Sequence, residues 1–179
     1  AAVYETLLGR QAVNGSLRTG NVGVSFVPDV SGLRSMVFAA QDPEKAATLL
    51  ERRAVPVTRT PDGLALLGHG VSIEVIARTD ETASPLTTAA ASAVSGLDHV
   101  VVRTPNPERA IAFYAGRLGL DLRLDRSNPK WGARLLFFRC GDLVIEIAHD
   151  LKKGVSDEPD HLWGLSWRVP DIAAAQARL

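Results

Sequence analysis

The sequence predicts an α+β fold made by repeating one βαβββ unit, and three observations carry that expectation. Two segments, GLRSMVFAAQDPEKAA from Gly32 and GLDHVVVRTPNPERAI from Gly96, open alike and start 64 residues apart. A third, LWGLSWRVPDIAAA from Leu162, aligns Asp171 with Asn106 at an offset of 65. A partial fourth copy stands at the start, where AAVYETLLG puts Tyr4 on Tyr114 and Gly9 on Gly119. A period of this length exceeds that of the common solenoids and suits a small mixed module used several times.

Each element follows from local pattern. Module one offers a helix over residues 1–9 and a short sheet portion, with Ser25 of VGVSFV at the last-strand position. Module two reads as a strand over 33–40, a helix over 43–53, and strands over 55–60, 64–67 and 71–77. Its turns are Pro61-Asp62-Gly63 and Gly68-His69-Gly70, rich in residues that favour reversal. Residues 78–95 are small and polar without an apolar period, the composition of a linker. Module three is the most complete. The β-branched run 97–104 predicts a buried strand, and Pro107 suits the first turn of a helix. Ala110, Phe113, Tyr114 and Leu118 recur at helical spacing until Gly119 stops them. DLRLDRS, ARLLFFRC and DLVIEIAH then give three strands, the last two joined at Gly141-Asp142. Module four supplies one strand and the helix DIAAAQARL. The expected division is 1–77, a linker at 78–95, and 96–179. Module one lacks an opening strand and module four a last one, so the chain is expected to be truncated at both ends.

Bulk properties narrow the class. The 179 residues are 46% hydrophobic, enough for a substantial core, and twenty basic residues balance twenty acidic ones. A neutral chain lacks the basic surface that nucleic acid or an anionic membrane demands. No apolar run reaches the roughly 20 residues a membrane-spanning helix needs. The single cysteine, Cys140, excludes an internal disulfide and fits a reducing, cytoplasmic setting. Asn14-Gly15-Ser16 matches a glycosylation acceptor in form but is better read as a turn.

The repeated βαβββ pattern, and above all LDHVVVRTPNPERAIAFYAGRLGL and DLVIEIAHD, resembles the vicinal oxygen chelate superfamily. That group contains glyoxalase I, extradiol dioxygenases and bleomycin-resistance proteins. The resemblance implies that modules pair into cupped mixed sheets, with metal ligands, where present, on the first and last strands. It implies ligand positions at His99 and Glu146. Alternation puts His99 with Leu97 and Val101 on one face, and Glu146 with Val144 and Ala148. Imidazole and carboxylate suit Zn²⁺, Mn²⁺, Fe²⁺ or Ni²⁺, and open positions would take a bidentate oxygen substrate. The plainer reading makes Glu146 an ion-pair partner for a hydrogen-bonded histidine, since a glutamate between two isoleucines needs a partner.

Other positions pull the other way. Gly164 aligns with His99 in module four, and Ser35 does so in module two, where Glu74 matches Glu146. His161 and His149 are expected to be solvated loop histidines. Arg103 and Arg134, if directed inward, would hold a substrate carboxylate or enediolate oxygen. Trp167 is a candidate stacking wall, and Trp131, Trp163 and Phe137-Phe138 lie in the same modules; core packing is the competing reading. Two functions follow. One is a divalent-metal enzyme, lyase, isomerase or dioxygenase, acting on a small substrate with neighbouring oxygens, with Glu146 moving the proton. The other is a metal-free binder of small molecules, of the bleomycin-resistance kind. A third possibility is a degenerate module pair kept for assembly. Unpaired sheet edges in a truncated chain favour a homodimer.

Overall fold

The computed structural model describes residues 1–28, 31–79 and 92–179. Among them the strands are β1 Ser16–Arg18, β2 Gly23–Ser25, β3 Ser35–Ala40, β4 Thr58–Thr60, β5 Gly63–Gly68, β6 Val71–Ala77, β7 Gly96–Arg103, β8 Asp121–Asn128, β9 Ala133–Cys140, β10 Leu143–Asp150 and β11 His161–Arg168. The helices are α1 Ala2–Leu8, α2 Pro43–Arg52, α3 Pro107–Ile111 and α4 Ile172–Arg178. α3 continues as a π-helical turn over Ala112–Arg117, where the Leu118 amide reaches back five residues to the Phe113 carbonyl.

The expected βαβββ order is present in full in modules two and three. In module two the sheet runs β3-β6-β5-β4, with β3 parallel to β6 and the remaining pairs antiparallel. In module three β8, β9 and β10 pair antiparallel within a five-stranded sheet ordered β11-β7-β10-β9-β8. The repeat extends to the helix starts. Asp42, Asn106 and Asp171 are extended N-caps, each accepting from the amide three residues on, at 2.9, 3.0 and 3.0 Å. A short Asx side chain satisfies one of the amides that every helix start leaves without a partner.

By contact, the described residues form two compact units built from separate stretches of chain. The larger holds Leu33–Thr79 and Val100–Gly164; the smaller holds the described parts of 1–32 and 80–99 with Leu165–Leu179. The divisions fall within β7, after His99, and within β11, after Gly164. The linker expected at 78–95 lies largely outside the described residues. At its described end, Ala93 and Val94 are buried rather than solvated.

In the larger unit, alternation decides what is inside. Ile145 and Ile147 of β10 face Phe138 and Leu136 of β9 in register, and all four are buried. Phe113 and Tyr114 of the π-helical turn bring their rings together edge to face at 5.2 Å, and Tyr114 lies 5.5 Å from Phe138. The β5–β6 hairpin closes through His69 and Gly70, both at positive φ. That combination belongs to the tight turns whose twist matches paired strands. A Cβ on Gly70 would sit 2.6 Å from Pro159 and 2.7 Å from the Asp160 carbonyl, so only glycine allows this approach.

Asp160 is the polar centre of this unit. Its side chain has no exposure, and Oδ1 accepts from Thr104 Oγ1 and from Arg109 Nη2, each at 2.7 Å. Its amide donates to the His69 carbonyl at 2.6 Å. The end of β7, helix α3, the β5–β6 hairpin and the entry to β11 are thus joined at one residue.

The smaller unit has its own core of Leu8, Leu17 and Val94, with Tyr4, Leu7, Ala12, Phe26, Trp167 and Val169 packed on it. Gly9 ends α1 at φ 66°. The Arg178 guanidinium of α4 bonds the carbonyls of Thr6, Leu7 and Ser92. Asn21 uses both ends of its amide on the Leu97 main chain, at 2.8 Å each, imitating a neighbouring strand.

Removing the Asp160 carboxylate takes the charged partner from the largely covered Arg109 guanidinium, which keeps the Glu158 carbonyl, and the shorter bond from Thr104 Oγ1, which keeps the Asn106 carbonyl. Asp160→Ala is expected to lose about 3–5 kcal/mol of unfolding free energy. Urea unfolding of the purified variant measures this, and a loss below about 1 kcal/mol would remove Asp160 from that central role.

Candidate functional site

His99 lies in β7 with its imidazole about three-quarters covered, and Nδ1 is 2.9 Å from Asp98 Oδ2. A carboxylate only accepts, so Nδ1 carries the proton in this contact. Asp98 Oδ1 in turn accepts from Arg168 Nε at 2.9 Å. The hydrogen bonds from His99, first, and Arg168, second, hold the Asp98 carboxyl below its ordinary range.

Glu146 sits in β10 between the buried Ile145 and Ile147, itself half-buried and on the opposite face, with Phe137 directly across on β9. Module two shows what becomes of the corresponding pair of positions. Ser35 Oγ on β3 donates to Glu74 Oε1 on β6 at 2.8 Å. The first and last strands of module two therefore deliver side chains to one point.

The remaining candidates divide. Arg103 is exposed at the end of β7 and stacks its guanidinium 4.3 Å from the Trp163 ring centre. Arg134 takes the side of β9 that carries Leu136 and Phe138, not the side facing Glu146. Asp125 accepts from its Nε and Nη2 at 2.8 and 2.7 Å, and Glu108 from its Nη1 at 2.6 Å. With those two carboxylates on it, Arg134 is a clasp between α3, β8 and β9. Trp167 packs on Leu8, Leu17 and Val94 as core, while Trp131 and Trp163 are exposed. His161 opens β11 exposed, but His149 is not a solvated loop histidine. β10 runs on to Asp150, so His149 is buried and donates from Nδ1 to the Thr104 carbonyl at 3.1 Å.

Asp98, Arg168, Thr104, Arg109 and Asp160 escaped the sequence reading. Asp98 was legible as the neighbour of His99, but strand alternation assigns adjacent residues to opposite faces and hides their contact. The side chains of His99 and Glu146 are of the kinds a divalent transition metal takes. Among the described residues, however, no three of His, Cys, Asp and Glu gather where they could hold a metal ion. No described helix is long and apolar enough to cross a membrane.

The fold is a repeated βαβββ unit, and the sequence comparison points the same way. Residues 96–179 match the model of the Glyoxalase/Bleomycin resistance protein/Dioxygenase superfamily. It is similar to an ethylmalonyl-CoA/methylmalonyl-CoA epimerase of Cereibacter sphaeroides, at 27% identity over 48% of this chain and 69% of that protein. A variant of 4-hydroxymandelate synthase from Streptomyces coelicolor shares the fold with a TM-score of 0.63, over 91% of this chain and 61% of that one, at 14% identity. Methylmalonyl-CoA epimerase from Mycobacterium tuberculosis matches at 23% identity and a TM-score of 0.43, over 52% of this chain and 66% of that one. The chain spans less than two thirds of each of these two structures.

The clasp on Arg134 has an acid signature. Hydrogen bonding to Arg134 holds the Asp125 carboxyl below its ordinary 3.8, so its stabilisation is complete above that pH and fades as pH falls below it. Both carboxylates are substantially exposed, so Arg134→Gln is expected to lose about 0.2–1 kcal/mol at pH 7. Urea unfolding should show that difference shrinking below pH 3.8. A gap of equal size at pH 7 and at low pH would contradict the assignment.

Proposed function

We propose that this protein is a divalent-metal enzyme acting on a small substrate with neighbouring oxygens, with His99 and Glu146 as metal ligands. The contact between Ser35 and Glu74 carries the reading. The repeat maps Ser35 on His99 and Glu74 on Glu146, so the two positions that meet in module two hold a histidine and a carboxylate in module three. A bound Zn²⁺, Mn²⁺, Fe²⁺ or Ni²⁺ would supply Lewis acidity toward a carbonyl oxygen. The chain supplies the rest. Asp98 holds the His99 ring through Nδ1, leaving Nε2 as the nitrogen for the metal, and the Glu146 carboxylate accepts and returns a proton. Arg103, stacked on Trp163, offers N–H groups to an anionic substrate oxygen. The similarity to a protein named as an ethylmalonyl-CoA/methylmalonyl-CoA epimerase suits this chemistry, because epimerisation beside a carbonyl needs one proton removed and one returned. In the same reading 1–77 and 96–179 are module pairs, and the protein acts in the cytosol as a homodimer.

One observation favours the other function, a metal-free binder of small molecules. The described residues gather no group of three metal-binding side chains, and Gly164 and Ser35 stand at first-strand positions. Metal content after purification without chelator separates the two. The enzyme reading expects about one equivalent of transition metal, lost in His99→Ala. Absence of metal in both proteins, together with no uptake of added Zn²⁺, Mn²⁺ or Ni²⁺, would leave the binder.

A further inference from the structure

Within the smaller unit three side chains form a line of charge-assisted hydrogen bonds. Arg168 Nε on β11 donates to Asp98 Oδ1, and His99 Nδ1 donates to Asp98 Oδ2, both at 2.9 Å. The main chain beside this line is pinned from two directions. Asn21 holds Leu97, immediately before Asp98, with two bonds of 2.8 Å. The Ser95 amide and hydroxyl both donate to the Arg168 carbonyl, at 2.9 and 3.1 Å.

We propose that Asp98 is the positioning residue for His99, and that Arg168 holds Asp98 in the orientation that sets the imidazole tautomer. The inference rests on the reading of His99 as a metal ligand and adds what prepares it. A neutral imidazole has one lone pair, and a ligand must aim it at the metal. Asp98 accepts the Nδ1–H hydrogen bond, so in the neutral ring the lone pair resides on Nε2. Carboxylate partners of this sort orient metal-bound histidines and raise their basicity. Arg168 decides which way a substitute would turn. In Asp98→Asn, the amide oxygen stays with the Arg168 donor and the amide NH₂ faces Nδ1. His99 then has to accept at Nδ1 and carry its proton on Nε2, the wrong nitrogen.

Two readouts on the full chain test this. Nitrogen-15 NMR of metal-free protein at neutral pH should show His99 protonated at Nδ1 in the wild type and shifted toward Nε2 protonation in Asp98→Asn. Zn²⁺ titration should show about 10–100-fold weaker binding in Asp98→Asn, and a smaller loss in Arg168→Lys. Nε2 protonation in the wild type, or one unchanged tautomer in both proteins, would overturn the proposal. The expected tautomers in a wild type that takes up no Zn²⁺ would uphold Asp98 as the positioning residue and remove only the ligand reading of His99.

Discussion

A carboxylate fully withdrawn from water has to be answered by protein atoms, and the larger unit is arranged around the answer given to Asp160. Thr104 and Arg109 share Oδ1, and the His69 carbonyl takes the Asp160 amide. Each donor comes from a different element, so the carboxylate fixes their mutual placement rather than adding to a local turn. Its surroundings remain strongly polarised. Asp160 Oδ2 and Tyr114 Oη have no protein partner, and burial together with the Asp160 charge raises the Tyr114 phenol above its ordinary value. Such a pair costs stability unless the interaction at Oδ1 outweighs it.

Around that centre the same module is used with different polar contents. The Asx caps at Asp42, Asn106 and Asp171 are a structural constant of the repeat, because every helix start needs its free amides answered. The polar positions on the first and last strands are not constant. Module two fills them with Ser35 and Glu74, which satisfy each other, and module three fills them with His99 and Glu146. One architecture thus holds a self-contained hydrogen bond in one copy and residues of ligand chemistry in another. Function in such a fold resides in what the strand positions carry.

Most of the fold was legible because strand and helix periods differ and the chain repeats them. β5, β6, β8, β9 and β10 fall within a residue or so of their expected limits, and the faces of β10 follow alternation, with Ile145 and Ile147 buried and Glu146 opposite. What stayed hidden depends on contacts between distant residues. Arg134 looked available until the β8–β9 pairing and helix α3 brought Asp125 and Glu108 to it. Asp160 sits in the polar stretch KKGVSDEPD, whose composition signals solvent, and only the hairpin, Thr104 and Arg109 bury it. His149 lies near the end of its strand, and only the distant Thr104 carbonyl explains its burial; Asp98 was hidden by the rule that neighbours in a strand face apart.

The central claim is that module three turns a structural pair of strand positions into a metal-binding one. Anomalous diffraction from crystals grown with Zn²⁺ tests it most directly, because it locates the ion on named atoms. The account predicts one ordered peak at about 2.0–2.1 Å from His99 Nε2, with Glu146 as a second protein ligand. A peak on exposed His161 alone, or no peak at His99 with the ion present in excess, would contradict it.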